Sequence, residues 1–406
     1  MTIQVDSPRL TLFRRIPTRE TARSTKGHSD VTSTAIEFLY LSEPDMIEAG
    51  VTNMAECVDT MSEMLALFAQ GDYRMAGTEN NSHGAQVFFP AEETFPGMPV
   101  DGPDRRFMAM PAYLGGDYQM AGCKWYGSNV ENKKIGLPRS ILMFTLNDKD
   151  TGAPLAHMSA NLLSAYRTGA IPGVGARYLA REDAKVVGII GPGPMNRTSL
   201  EAFMAVRPGI DTVKVSGRGQ AGIDAFIAWA KEKFPQIATI EQVPDAEAAV
   251  RGSDIVSIAV PSASGSENYP YVADDWVKPG AFICCSAHLA LEESLTLRAR
   301  HVADARKIYQ AWAEEIPAPA HETVGIWGMH LVDRVRDGRM TPEQFEDVGE
   351  IIQGLTPGRQ HEDEVFVYSV GGMPVEDIAW ATKIYRNALR DGIGTKLKLW
   401  DEPALA

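Results

Sequence analysis

The spacing of apolar positions changes along the chain, and each change predicts an element. A short run, Phe38-Leu39-Tyr40-Leu41, gives way to helical spacing through Met61, Met64, Leu65 and Phe68, with Gly71 placed to cap the helix. Periodicity then lapses from Tyr73 to Asp104, where Asn80-Asn81, Gly84 and several prolines predict a long loop. Extended segments follow at Arg106 to Tyr113 and Tyr118 to Tyr126 around the hairpin signal Gly115-Gly116-Asp117, and at Leu137 to Asn147 and Pro154 to Ser159. This half of the chain therefore reads as α+β with an antiparallel sheet.

Helical spacing returns at Asn161 to Ala180, with a kink or break expected at Ile171-Pro-Gly-Val-Gly175. Beyond it, strand and helix alternate: Val186 to Ile190, Thr198 to Ala205, Thr212 to Val215, Ala221 to Phe234, Ala238 to Gln242, Ala246 to Arg251, Asp254 to Val260 and Ala281 to Ser286. Such alternation predicts an α/β, doubly wound Rossmann domain over roughly residues 171–320, with Pro317 and Pro319 at its exit. Thr341-Pro-Glu-Gln344 has the composition of a helix start and predicts a helix ending at Gly354. A strand at Val365 to Val370 and an amphipathic helix at Val375 to Arg390 complete the pattern.

The most informative stretch is Lys185 to Asn196. An apolar strand breaks at Gly191-Pro192-Gly193, and a helix-compatible segment, Thr198 to Ala205, begins a few residues later, which makes Gly191, Gly193, Pro194, Met195 and Asn196 candidate cofactor contacts. Glycines admit a phosphate close to the backbone, and a helix N-terminus offers it free N–H groups. The third glycine of the dinucleotide fingerprint is replaced by Asn196, so the match is partial. The second strand ends Val215-Ser216-Gly217-Arg218, with no carboxylate for the ribose 2′-hydroxyl of NAD and with an arginine suited to a 2′-phosphate. This favours NADP(H) over NAD(H), which is the second option.

Composition narrows the class further. With 44% hydrophobic and 23% charged residues the chain is an ordinary globular protein, and a net charge of −14 argues against nucleic-acid or anionic-membrane partners. Cys57, Cys123, Cys284 and Cys285 form neither a zinc spacing nor a disulfide framework, as expected of a cytoplasmic protein. His321-Glu322 lacks the second histidine of a metalloprotease helix, so no metal site is expected. The first 30 residues combine six cations with Ser and Thr, but Asp6, Glu20 and Asp30 speak for a partly ordered arm rather than a transit peptide.

The segment Ser164-Ala-Tyr-Arg-Thr-Gly-Ala170, the Gly191-Pro-Gly193 turn, the late Ser369-Val-Gly-Gly and Glu376-Asp377 together resemble the ornithine cyclodeaminase and mu-crystallin family, from about Met108 to Ala388. The resemblance implies a substrate-binding and dimerisation domain from residues 31–170 and 321–406 around an inserted Rossmann domain, and a homodimer. It also implies that Lys124 contacts the substrate near its reacting carbon, that Arg167 grips the substrate carboxylate, and that Thr168 touches the cofactor. Arg74 is the counterpart of a second carboxylate-binding arginine, and Ser369 and Val370 match the segment lying against the nicotinamide. Where cyclodeaminases carry Gly-Gly-Asp, this chain has Ser286-Ala287-His288, which puts cyclodeamination in doubt and makes His288 a candidate acid or base.

The expected activity is an NADP(H)-dependent oxidoreductase acting at a C–N bond of a small amino or imino acid, as a ketimine reductase or an opine-type dehydrogenase. The extra residues around 84–105 favour a substrate larger than proline or ornithine. The alternatives are an ammonia lyase that recycles bound NAD and a non-catalytic nucleotide-bound ligand carrier.

Overall fold

Two eight-stranded sheets organise the computed structural model, which describes residues 34–102 and 104–405; the expected arm, 1–30, lies outside these residues. The first sheet runs in the order Thr395–Trp400, Ile36–Leu41, Pro154–Ser159, Ser140–Asp148, Met120–Ser128, Arg106–Leu114 and Tyr73–Met75, and Ala85–Val87 also pairs with Arg106–Leu114. Its pairs are antiparallel except Ile36–Leu41 with Pro154–Ser159. The two chain ends thus meet side by side. Residues Ala85–Val87 and Tyr73–Met75 give the predicted loop two short strands.

The second sheet is parallel throughout, in the order Thr239–Gln242, Thr212–Ser216, Val186–Ile190, Ile255–Ile258, Phe282–Cys285, Phe366–Ser369, Arg300–Ala303 and Phe345–Asp347. The first three members run opposite to chain order and the next two with it, so the order reverses between Val186–Ile190 and Ile255–Ile258. That reversal opens the crevice in which doubly wound sheets bind ligands. The Rossmann sheet does not stop at residue 320, because Phe345–Asp347 and Phe366–Ser369 add two of its strands.

Two other expectations shift. Thr341 and Gln344 form the predicted capping box, yet it opens only a 3-10 turn, Pro342–Gln344. Phe345 is then buried in an edge strand beside Arg300–Ala303, and that pairing overrides the helix signal until Val348–Ile352. Helix Asn161–Leu179 runs unbroken through Pro172. Its glycines serve packing instead: a Cβ on Gly169 would sit 2.2 Å from the Thr198 hydroxyl, and one on Gly173 would sit 2.6 Å from the Ala202 methyl. Residues 169 and 173 share a helix face, as do 198 and 202, so this face lets helix Pro194–Val206 approach closely. Helix Pro374–Asp391, capped by left-handed Gly392, packs on Arg106–Leu114, Met120–Ser128 and the Asn161 helix. The antiparallel sheet and helix Pro194–Val206 are therefore held against common neighbours.

Candidate active site

The strand Met120–Ser128 alternates, with Lys124, Tyr126 and Ser128 inward and Trp125 outward. Lys124 is 1% exposed, a costly place for an ammonium unless it is paired. Its Nζ lies 2.8 Å from Asp377 Oδ2 and 3.2 Å from Ser164 Oγ. Arg167, from the Asn161 helix, donates its Nε to Asp377 Oδ1 at 2.9 Å, one terminal nitrogen to Glu376 Oε2 and the other to Ser164 Oγ at 3.5 Å. Glu376 Oε1 also caps its own helix by accepting from Met373 N at 2.9 Å.

Burial, then the Arg167 charge, pull the Lys124 ammonium down to about 8 against the opposing pull of Asp377. Burial pushes the Glu376 carboxyl up to about 7 despite Arg167. For Arg167 burial acts downward, but Asp377 and Glu376 outweigh it and hold the guanidinium charged. A buried lysine lowered to about 8 beside a fixed cation is able to give or take a proton in the mildly alkaline range.

Lys124, Ser164 and Arg167 line a cavity of about 350 Å³ together with His83, Arg106, Arg139 and Tyr126, while Glu376 and Asp377 lie behind them. The lining also includes Pro194 and Met195, the first residues of the helix after the glycine turn, and Gly371-Gly372. Buried Asp304 fixes the latter pair, accepting from Gly371 N at 2.7 Å and Gly372 N at 3.1 Å. Gly372 has φ +75°, and a Cβ there would lie 3.0 Å from an Arg167 terminal nitrogen, so glycine is required.

The glycine turn fits a pyrophosphate. Gly191 has φ +90° and its N–H bonds Ser216 O at 2.9 Å, while the space a Gly193 Cβ would enter is open. Asn196 is fully buried and braces the turn: its Nδ2 donates to Gly191 O at 2.7 Å and Ile190 O at 3.1 Å, and its Oδ1 accepts from Ser257 Oγ at 2.7 Å. It does by hydrogen bonds what the third glycine does by close packing. Beyond the turn, Ser216 is buried at its strand end and exposed Arg218 donates to Pro261 O at 3.1 Å. The residues present therefore suit the pyrophosphate of a dinucleotide, and the helix that would hold it lines the same cavity as Lys124.

Several expected contacts sit elsewhere. Arg74 is exposed, bonds its own neighbourhood at Gly71 O and Tyr73 O, and does not line the cavity. From the same segment it is His83 that reaches the cavity wall. His288 is absent from the lining too: its Nδ1 accepts from Ser262 N at 3.2 Å and its ring lies 4.9 Å from Tyr269. Ser369 and Val370 are core residues, with Ser369 Oγ accepting from Gly328 N, and it is Gly371-Gly372 that reach the cavity. Thr168 lines it with its hydroxyl turned back to Ser164 O at 2.7 Å.

A doubly wound parallel sheet with a glycine turn, whose following helix shares a cavity with a buried lysine from a second sheet, defines the class of dinucleotide-binding oxidoreductases. The Ornithine cyclodeaminase/mu-crystallin family model matches residues 50–392, and the chain belongs to that family. N-((2S)-2-amino-2-carboxyethyl)-L-glutamate dehydrogenase of Staphylococcus aureus is 27% identical over 90% of this chain and 99% of its own. The Thermococcus litoralis Delta(1)-pyrroline-2-carboxylate reductase, solved with NADH and L-proline, is 25% identical with a TM-score of 0.71, covering 88% of this chain and 99% of that one. An archaeal alanine dehydrogenase dimer with bound NAD is 26% identical, again at TM-score 0.71, over 90% and 100% of the two chains.

Proposed function

We propose that this protein is an opine-type dehydrogenase, an NAD(P)(H)-dependent oxidoreductase that joins or splits a 2-oxo acid and an amino acid at a secondary C–N bond. The general class, oxidation or reduction at a C–N bond of an amino or imino acid, is that of its relatives. The observation that carries the reading is Lys124, buried beside Asp377 and facing the N-terminal turn of the nucleotide-binding helix across one cavity. The nicotinamide, when bound, supplies the hydride donor or acceptor. Lys124 holds or takes the proton at the substrate nitrogen. Asp377 sets the position of Lys124 and Arg167 together. Three of the five Arg167 N–H groups are committed to Glu376, Asp377 and Ser164, leaving one on each terminal nitrogen for the substrate carboxylate.

Two features favour a two-part substrate over a cyclic imine. The Staphylococcus aureus relative, matched along nearly its whole length, acts by its name on a glutamate bearing an aminocarboxyethyl group. The segment before Arg106 also adds His83 to the cavity wall. Ser216-Gly217-Arg218 supports NADP(H) over NAD(H). Four unpaired cysteines among the described residues suit a cytoplasmic setting. Phe107, Trp125, Ile141 and Met143, half-exposed on the outer face of the antiparallel sheet, suit burial against a second copy.

The test is a screen of 2-oxo acid and amino acid pairs, cyclic imines and single amino acids with NADPH and NADH. We expect steady NADPH oxidation with a 2-oxo acid and amino acid pair. Turnover confined to cyclic imines would sink the opine reading, and ammonia release without net coenzyme change would replace it with a lyase.

A further inference from the structure

The cavity has a second cationic end that the chemistry at Lys124 does not use. Arg106 opens its strand and pairs in register with Ser128, which pairs in turn with Ser140; Arg139 immediately precedes Ser140. Both arginines are thereby brought to one end of three adjacent strands. Ser128 is four residues from Lys124 on the same inward face, roughly 13 Å along the strand. Between them stands Tyr126, with Lys124 Nζ and Arg106 Cζ each 5.9 Å from its ring centroid.

The two guanidinium groups share one carboxylate. Asp104 Oδ1 pairs with a terminal nitrogen of Arg106, and its Oδ2 takes Arg139 Nε at 3.1 Å and Ser128 Oγ at 2.6 Å. Arg106 Nε is buried and without a hydrogen-bond partner among the described residues. The other Arg106 terminal nitrogen reaches only the Tyr126 hydroxyl, at 3.5 Å, on the side chain that lines the cavity, so this guanidinium is short of anionic partners and an anion in the cavity would supply one. Across the whole cavity, the cations lining it are Arg106, Lys124, Arg139 and Arg167, while the carboxylates bonded to them are Asp104, Glu376 and Asp377. One positive charge is left over, at the end where Asp104 serves two arginines.

We propose that Arg106 and Arg139 form a distal carboxylate subsite, so that the substrate is a dicarboxylic or tricarboxylic N-linked amino acid with one acid group at Arg167 and another about a strand's half-length away. The subsite deepens the opine reading and rests on it for the reacting bond. Arginine suits the task because its planar fork matches a carboxylate bidentately. Tyr126 forms the apolar floor under the chain that links the two ends.

Two measurements test it. In turnover, 2-oxoglutarate is compared with 2-oxopentanoate, the same carbon chain without the distal acid, in wild type, R106Q and R139Q. We expect wild type to prefer the dicarboxylate by about tenfold or more in kcat/KM, and the ratio to collapse toward one in either variant. In binding, the thermal shift given by glutarate is compared with that given by valerate, with NADPH present. Glutarate should stabilise wild type more, and the difference should shrink in R139Q, whose half-exposed side chain makes the variant safe for folding. A wild type indifferent to the distal acid, or a preference that survives both substitutions, overturns the subsite. If no pair turns over, the dehydrogenase reading fails on its own and the glutarate comparison still decides the subsite.

Discussion

Asp377 holds Lys124 and Arg167 at once, with Oδ2 2.8 Å from the lysine Nζ and Oδ1 2.9 Å from the arginine Nε. One carboxylate from the first turn of the last long helix thus fixes the spacing of two cations contributed by a strand and a different helix. The lysine stays near its titration point because Arg167 and burial act against Asp377. Glu376 completes the group, and His83, driven down to about 3 by burial, then by Lys124 and Arg167, adds no charge at working pH.

The direction of the reaction should therefore depend on pH around about 8. Below that value Lys124 is an ammonium and gives a proton; above it, it is an amine and takes one. In wild type, kcat/KM for reduction should fall as pH rises through this region, and kcat/KM for oxidation should rise. Lys124→Met should lower turnover by about 10²- to 10⁴-fold, the usual contribution of a positioned acid or base. Profiles flat across this range would remove Lys124 from proton transfer.

Replacing Asp377 by Asn removes the charge that raises the Lys124 value. The inflection should move to lower pH, a change that simple loss of packing would not produce. Arg167→Ala leaves Glu376 and Asp377 buried without their guanidinium, and breaking a buried pair in this way costs about 3–5 kcal/mol. Thermal or denaturant unfolding should register that loss, so activity lost in this variant is read only beside its stability. Arg167→Lys keeps the charge, loses the fork, and should show a raised substrate KM in a folded protein.

Much of this site was legible before any coordinates, and the rest has a physical reason for having been hidden. Lys124 and Arg167 stand in ordered motifs, and the glycine turn announces itself by residue type. Glu376 and Asp377 look like ordinary acidic residues of a helix first turn, and Glu376 does cap that helix. Only the packing of that helix on the Lys124 strand reveals their second role. His83 sits in the stretch without periodicity and Arg106 at its edge, while Arg139 lies near the start of a predicted extended segment far along the chain, and only the register of three strands brings the two arginines together. Arg74 stands on a short strand whose alternation turns it to the exposed side, between buried Tyr73 and Met75, which the sequence around it does not announce. The edge strands Phe345–Asp347 and Thr395–Trp400 went unseen because their partners, Arg300–Ala303 and Ile36–Leu41, are distant in sequence.

Asn196 should govern coenzyme affinity without touching the coenzyme. Asn196→Ala strips partners from Ser257 Oγ and from two carbonyls of the turn, all in a buried setting. The expected loss is about 1–3 kcal/mol of stability, together with a raised KM for NADPH and a smaller change in kcat. Asn196→Gly restores the fingerprint in sequence but not these bonds, so it should behave like the alanine variant. Wild-type coenzyme affinity in both would show that the turn holds its shape unaided.

The proposed preference for NADP(H) is tested at Arg218. Its guanidinium gives one bond to Pro261 O and is otherwise exposed beside a strand end that lacks a carboxylate. Arg218→Ala should raise KM for NADPH by about tenfold or more, the loss of one charge-assisted contact to a phosphate dianion, and should leave KM for NADH nearly unchanged. An equal effect on both coenzymes would mean that Arg218 shapes the loop and does not read the 2′-phosphate.

The seam between helix Asn161–Leu179 and helix Pro194–Val206 joins the two halves of the site, since the first carries Arg167 and the second opens at the glycine turn. Gly173→Ala puts a methyl 2.6 Å from that of Ala202, and overpacking of this kind costs about 1–3 kcal/mol. Ala202→Gly alone costs about 1 kcal/mol through helix propensity. Because the clash is between these two positions, the double variant should be more stable than the sum of the single changes, as a double-mutant cycle measures. Coenzyme KM should follow the same cycle, rising in Gly173→Ala and recovering in the double variant, because what moves apart at residue 202 also moves Pro194 and Met195 away from Arg167.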